Sequence, residues 1–305
     1  RRQRQMCIRD RAYVKKAYMP HYEQIVLRIN PKEMDQFDLV LVRGARIYTS
    51  NRDRPMPMTP PPFAMVLRKH LKNARMTGVR QLGFDRVLCF DFDTKFGQYH
   101  LYVEVFRDGN IILTDEEGII IQPLTHASYA GRTLKKGVAY IPPPAAMDPH
   151  TINQKELTEM FQSSDRDLVS TLGGKVNLGG THANAVCALA GFEANIDTQE
   201  VDAGKIHEAL QSLLTDLAET RVGYLLLKPT SEESVSELEK KAQSHTPNGD
   251  RDRFYEKYAN EATPTLLPNH QKAAKASFPS LCQAVDAWKG AHDAMALARR
   301  EAEKL

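Results

Sequence analysis

Short apolar runs separated by turn-forming residues fill positions 12–125, whereas apolar residues at helical spacing dominate 153–220. The first pattern predicts strands at 22–29, 39–42, 47–49, 87–90, 100–106, 110–113 and 119–122. Arg107-Asp108-Gly109 falls between two of these as a hairpin signal, and Glu116-Glu117-Gly118 precedes the last. Strands this short and this closely spaced predict an antiparallel sandwich or barrel. A single helix interrupts them. Pro60, Pro61 and Pro62 exclude a helix before them, and Pro62 suits a first helical turn. Phe63, Val66, Leu67 and Leu71 then form one buried stripe of a helix that runs on to Gly78.

The second pattern is helical. Ser163-Ser164-Asp165 offers caps ahead of Leu168 and Leu172, Asn177-Leu178-Gly179-Gly180 breaks the periodicity, and 183–190 resumes it before Gly191. Helix, glycine turn, helix is the outline of a helix-hairpin-helix. An ordinary αα-hairpin with a capping glycine explains the same pattern. Beyond it, 224–227 reads as one strand, 231–260 as a polar, mobile insertion with a short helix, and 278–305 as a helix rich in Ala, Arg and Glu. The predicted class is therefore α+β: a β-rich domain at 12–145, a helical domain at 150–220, a strand with its insertion at 221–277, and the start of a coiled coil at 278–305.

Charge changes this picture at one end. Residues 1–10, RRQRQMCIRD, match the in-frame translation of a transposase sequencing adapter, so residues 1–11 are set apart from the fold. The net charge of +3 lies entirely in that stretch, where Arg1, Arg2, Arg4 and Arg9 face Asp10. The remainder is neutral but asymmetric, with Lys and Arg in excess across 11–80. Such an asymmetry suits a polyanion-facing first half, and a mixed solvated surface accounts for it equally. Cys89, Cys187 and Cys282 stand far apart, which rules out a zinc ribbon and speaks against a disulfide framework. No apolar run approaches the roughly 20 residues of a membrane span.

The candidate chemistry is electrostatic. Arg68, Lys72 and Arg75 lie three and four apart, flanked by Lys69, so on one helix they share a face able to contact successive phosphates. A solvated helix face is the plainer reading of such a stripe. The Gly179-Gly180 turn offers backbone N–H groups to a phosphate at a helix start. Asp91 and Asp93 are spaced like an acid/base pair but read as an exposed strand end, and the histidines show no grouping. There is no metal-ligand spacing, P-loop or GxSxG, so no catalytic residue, metal or cofactor is assigned.

Three stretches carry a resemblance: residues 48–86 with LRKHL followed by Q-x-x-x-DR, LYVEVFRDGNIIL at 101–113, and VNLGGTHANAVCALAGF at 176–192. Over roughly 12–305 the chain resembles the N-terminal part of the NFACT family, with the LGG turn resembling archaeal members. That resemblance implies a domain like the N-terminal domain of the Fpg/Nei DNA glycosylases, then a helix-hairpin-helix domain. It implies a cytoplasmic factor of ribosome-associated quality control that is not an enzyme. Such a factor binds tRNA, rRNA and the large ribosomal subunit carrying peptidyl-tRNA, and supports C-terminal tailing of stalled chains. Asp85 and Arg86 occupy the family's Asp-Arg pair, which implies a role in tRNA engagement. The family's first helix brings a further functional Asp, where this chain has the adapter-like stretch. Most of its long coiled coil and its RNA-binding domain lie beyond the residues matched. Two rivals stay open: a DNA glycosylase or abasic lyase of the same fold, and a surface adhesin that binds fibronectin.

Overall fold

A computed structural model of the chain describes residues 12–302 apart from 33, 145–146, 230–233 and 245–248. The adapter-like residues 1–11 lie outside the described residues. The chain divides into two units, one spanning 1–145 and 289–305 and the other 146–288.

The first unit is built on a nine-stranded sheet. Its strands are β1 (Ala12–His21), β2 (Gln24–Asn30), β3 (Phe37–Val42), β4 (Arg46–Ser50), β5 (Arg75–Gln81), β6 (Val87–Thr94), β7 (Gly97–Glu104), β8 (Ile111–Thr114) and β9 (Ile120–Pro123). They lie in the order β4-β3-β2-β1-β5-β6-β7-β8-β9, with every neighbour antiparallel. Hairpins account for most of this order. The β1–β5 pairing is the long-range join, with Ala12 opposite Met76 and Tyr13 opposite Arg75.

A single continuous sheet thus stands where the sequence predicted a sandwich or barrel. It curls on itself. Gly44 in the β3–β4 turn donates its N–H to the Glu104 carbonyl at 3.2 Å, and Arg43 Nε donates to the Gly109 carbonyl at 2.8 Å. A Cβ on Gly44 would sit 2.8 Å from the Phe106 carbonyl oxygen, and its φ of +65° also favours glycine. The close approach of the two turns needs that residue.

The one helix of this sheet, α1 (Pro62–Leu71), lies in the concave face. Phe63, Leu67 and Leu71 are buried there with Val14, Ile25, Leu27, Phe90, Phe92, Leu101 and Ile111. A fully buried Leu or Phe contributes about 1.5–3 kcal/mol, so this stripe fixes the helix on the sheet. Pro62 stands in the first turn as the sequence suggested. The far end differs: α1 stops at Leu71 rather than near Gly78. Asn73 takes a left-handed φ of 59°, its N–H donates to the Val14 carbonyl, and the Val14 N–H donates to the Ala74 carbonyl. Ala74 and Met76 are then drawn into the core as the chain turns into β5.

In this unit a two-stranded ribbon, β10 (Ala127–Tyr129) and β11 (Arg132–Leu134), follows β9. The last helix of the chain, Ala291–Ala302, also belongs to this unit. Its Asp293 accepts hydrogen bonds from Arg46 and from the buried Tyr48 hydroxyl, the latter at 2.8 Å. Burial and that carboxylate push the Tyr48 phenol well above its ordinary range.

The second unit begins with four helices, α2 (Gln154–Gln162), α3 (Leu168–Gly174), α4 (Gly179–Ala190) and α5 (Ala203–Glu219), packed around Leu157, Phe161, Leu172, Val186, Ile206 and Leu210. Asn153 and Glu156 form a capping box on α2. The cap of α3 is Asp167, not the Ser163–Asp165 stretch. Its carboxylate accepts from the Ser170 N–H, while Ser164 is turned inward to the Thr171 hydroxyl.

After α5 the strand at 224–227 is present as β12 (Gly223–Leu227). It is the centre of a three-stranded sheet flanked by β13 (Ala259–Thr263) and β14 (Ala274–Phe278). For the 231–260 stretch the sequence predicts a mobile insertion with a short helix. Its described residues instead form two helices, Val235–Ser244 and Gly249–Tyr258, which bury Leu238, Phe254, Tyr255 and Tyr258 against that sheet. Phe254, Tyr255 and Tyr258 do fall at helical spacing, but the charged residues around them hide the stripe in a polar segment. Residues from 278 are likewise not one helix, since Phe278 ends β14 and Ser280 caps a fresh helix at Leu281.

Candidate nucleic-acid interface

The basic residues singled out from the sequence do not share a helix face. Arg68 and Lys69 lie in the last turn of α1, Lys72 follows it in extended conformation, and Arg75 begins β5, where it pairs with Asp93 at 2.9 Å. The helical spacing of Lys72 and Arg75 is coincidental, because Asn73 ends the helix between them.

What gathers here instead is a cleft of about 360 Å³ between β1 and the end of α1, lined by Val14, Lys15, Lys16, Ala17, Leu67, Arg68 and Lys72. Three of its four cations, Lys15, Lys16 and Lys72, are exposed. Lys15 reaches Gln36 at 3.1 Å, and Lys69 and Lys72 have no carboxylate partner among the described residues. Arg68 is different. Its Nε donates to the Ala17 carbonyl at 2.7 Å and its guanidinium lies 5.4 Å from the Tyr18 ring centre. Lys16 and Arg28 approach the same ring at 5.2 and 5.3 Å. Tyr18 thus holds three cations by its π face. Neither Lys15, Lys16 nor Tyr18 was identified from the sequence. They lie more than forty positions from α1, and only the β1–β5 join brings them to it.

Asp85 and Arg86 sit in the β5–β6 loop. Asp85 is half-buried, and its Oδ1 accepts from the Arg86 N–H at 2.6 Å while its carbonyl accepts from Gln81 Nε2 at 2.7 Å. The Arg86 carbonyl accepts from the Val105 N–H at 2.7 Å, which anchors the loop to the end of β7. The Arg86 side chain is exposed and has no ion-pair partner among the described residues. Strand β5, about 20 Å long at a strand's rise per residue, therefore carries Lys72 before one end and the Asp85-Arg86 loop beyond the other.

Asp91 is not the exposed strand end its spacing suggested. Register places Asp91 opposite His100 and Cys89 opposite Tyr102, with Arg80 across from Cys89. Asp91 Oδ1 lies 2.6 Å from His100 Nδ1 and accepts from the Cys89 thiol at 3.4 Å, while Oδ2 accepts from Arg80 Nε at 3.2 Å. Burial, helped by Asp91, pushes the Cys89 thiol up to about 12. Beside this network the buried Glu104 carboxylate is held by Arg132 and by the Tyr140 hydroxyl at 3.1 Å. The histidine grouping missed from sequence arises from cross-strand register, which spacing along the chain does not reveal.

In the second unit, Gly179 and Gly180 open α4. Gly179 has a φ of +68°, no side chain caps the helix, and both glycines are exposed.

Residues 10–288 match the family of NFACT N-terminal and middle domains. The chain belongs to the NFACT family. Relatives bear this out: the archaeal Rqc2 homolog aRqcH of Methanocaldococcus jannaschii is 32% identical over 225 residues, 70% of this chain and 34% of that protein. The Rqc2 homolog RqcH of Bacillus subtilis is 32% identical over 144 residues, 43% of this chain and 25% of its own. The human ribosome quality control complex subunit NEMF is 44% identical over 86 residues, 28% of this chain and 8% of its own. This NFACT chain thus spans about a third or less of each relative. Its fold is shared with the fibrinogen binding protein from Staphylococcus aureus, at a TM-score of 0.65 and 17% identity over 93% of this chain and 96% of that one. The N-terminal part of the fibronectin/fibrinogen-binding protein from Streptococcus suis aligns at a TM-score of 0.62 and 21% identity, covering 93% and 94%. Among the described residues of this NFACT chain, no helix is long and apolar enough to cross a membrane.

Proposed function

We propose that this chain is the RNA-binding N-terminal part of a cytoplasmic ribosome quality control factor. It engages tRNA and the large ribosomal subunit that carries peptidyl-tRNA, contacts rRNA, and supports C-terminal tailing of the stalled chain. The observation that carries the reading is the exposed lysine surface around the β1–α1 cleft, without carboxylate partners among the described residues, in a chain whose relatives are named for ribosome quality control. Exposed cations without carboxylate partners attract phosphates, and such contacts position an RNA without reading its sequence. Arg86 extends that surface at the far end of β5. The uncapped start of α4 supplies a second phosphate contact through the N–H groups of Gly179 and Gly180, in the manner of a helix-hairpin-helix. No enzyme is needed for this role. Holding aminoacyl-tRNA beside a ribosomal reaction centre supplies proximity, and proximity is worth several kcal/mol of barrier.

The test is a binding titration of the chain with labelled tRNA and with an abasic DNA duplex, wild type beside an Asp85→Ala/Arg86→Ala variant, at fixed salt. Preference for tRNA that is lost in the variant, with unchanged thermal stability, supports the assignment. Equal or tighter binding to the abasic duplex, indifferent to the variant, sinks it and favours a glycosylase-like role.

A further inference from the structure

The convex face of the β5–β6–β7 ladder carries a group of side chains that RNA binding leaves unexplained. Cys89, Asp91 and His100 each offer one ligand atom, and these atoms lie within 4.8 Å of one another. They are set by the sheet itself. Cys89 and Asp91 are two apart on β6 and share a face, and His100 is the register partner of Asp91 on β7. All three come from rigid strands rather than loops.

We propose that Cys89, Asp91 and His100 form a binding site for a divalent transition-metal cation, Zn²⁺ by its donor set. Thiolate, imidazole and carboxylate are the three ligand types zinc takes in proteins, at about 2.0–2.3 Å each. A tetrahedral ion with those bond lengths separates its ligand atoms by roughly 3.3–3.6 Å. The Cys89 Sγ to Asp91 Oδ1 distance is already 3.4 Å. The 2.6 Å separation of Asp91 Oδ1 and His100 Nδ1 opens by under about 1 Å, a side-chain adjustment within the strands' geometry.

The surroundings fit a three-ligand site with one open position. Arg80 donates to Asp91 Oδ2 at 3.2 Å and thereby turns Oδ1 toward the thiol and the imidazole, an outer partner fixing a ligand. Its Nη2 also lies 3.4 Å from Oδ1. Gly78 faces Asp91 across the ladder and brings no side chain; a Cβ there would stand 3.3 Å from Oδ2. Asp91 and His100 are partly exposed, at 24% and 16%, which leaves a path for an ion and a place for water. The positive charge of Arg80 opposes any cation. Binding must then come from the softer thiolate and imidazole, the ion displacing the Cys89 thiol proton to solvent as it binds, which selects Zn²⁺ or Co²⁺ over Mg²⁺ or Ca²⁺.

Titration of the metal-free chain with Co²⁺ tests this, read by the thiolate-to-cobalt absorption band and followed by displacement with Zn²⁺. One equivalent is expected to produce the band, and Mg²⁺ or Ca²⁺ in excess is expected not to erase it. His100→Gln and Cys89→Ser are each expected to weaken binding at least about tenfold. A Cys7→Ser/Cys187→Ser/Cys282→Ser variant is expected to keep the band. Circular dichroism of each variant without metal checks the fold; should the buried Cys89→Ser fail to fold, the partly exposed His100→Gln decides. Absence of a band at one equivalent, its survival in Cys89→Ser, its loss in the triple variant, or unchanged affinity in His100→Gln overturns the proposal.

Discussion

Replacing Lys69 and Lys72 together by alanine separates phosphate attraction from scaffold, because both are exposed and neither is ion-paired among the described residues. Arg68 does not serve this purpose: its bond to the Ala17 carbonyl and its place over Tyr18 tie it to β1, so its loss disturbs the fold as well as the charge. Each phosphate contact adds roughly 0.7–0.9 to the slope of log K against log salt. Losing two therefore lowers the slope by about 1.4–1.8, which at 0.1 M salt is about a 25- to 60-fold loss of affinity, roughly 2 kcal/mol. Fluorescence anisotropy with labelled tRNA over a series of salt concentrations measures both quantities on one sample. The melting temperature is expected to hold within about 2 °C, as for other surface substitutions free of special contacts. An unchanged salt slope in this variant removes the α1 end of the cleft from the interface and refutes the reasoning.

Two further outcomes concern the scaffold. Arg132→Met strands Glu104, which has no solvent exposure and keeps only the Tyr140 hydroxyl, so a loss of about 3–5 kcal/mol and a fall of roughly 10 °C in melting temperature are expected. Adding Glu104→Gln should restore much of that loss, and a single variant as stable as wild type would show that the pair is dispensable. His70, packed edge-on to Tyr99, has its pKa lowered by burial and by Lys69, so the folded state binds that proton more weakly than the unfolded one. Stability is therefore expected to decline as pH falls below about 6.5, until the pH has passed below the folded value, and His70→Gln should flatten that decline in pH-resolved denaturation; superimposable profiles would deny His70 the role.

Local signals in the sequence were legible where the structure is local. Pro62 opens its helix, Arg107-Asp108-Gly109 lies in the turn between two strands, and Gly191 ends α4 with a φ of +78°. What misled was periodicity continued past a break. Lys72 and Arg75 keep helical spacing, yet the left-handed Asn73 and the burial of Ala74 and Met76 belong to the turn into β5. What stayed hidden was pairing. Tyr18 meets Arg68, and His100 meets Asp91, only because hairpins and the β1–β5 join set a register, and one residue of slip would send each side chain to the opposite face. The same holds for the last helix, whose Asp293 finds Arg46 and Tyr48 across almost the whole chain.

The two ends of β5 divide the proposed work by charge. In the proposed role, lysines near the α1 end hold an RNA through its phosphates without choice of sequence. Asp85 does the reverse, since a carboxylate repels phosphate. In that proposed role it contributes to binding only by accepting a hydrogen bond, and RNA offers suitable donors in base N–H groups and the ribose 2′-hydroxyl. Oδ1 is already engaged by the Arg86 N–H, which orients the carboxylate and leaves Oδ2 as the acceptor. The loop is held by the Val105 N–H on one side and Gln81 on the other, so that oxygen is presented from a fixed frame. Arg86 beside it supplies the attraction that offsets the carboxylate's repulsion. In the proposed role, a cationic surface with one oriented acceptor beyond the far end of β5 distinguishes where an RNA lies on the protein from merely whether it binds.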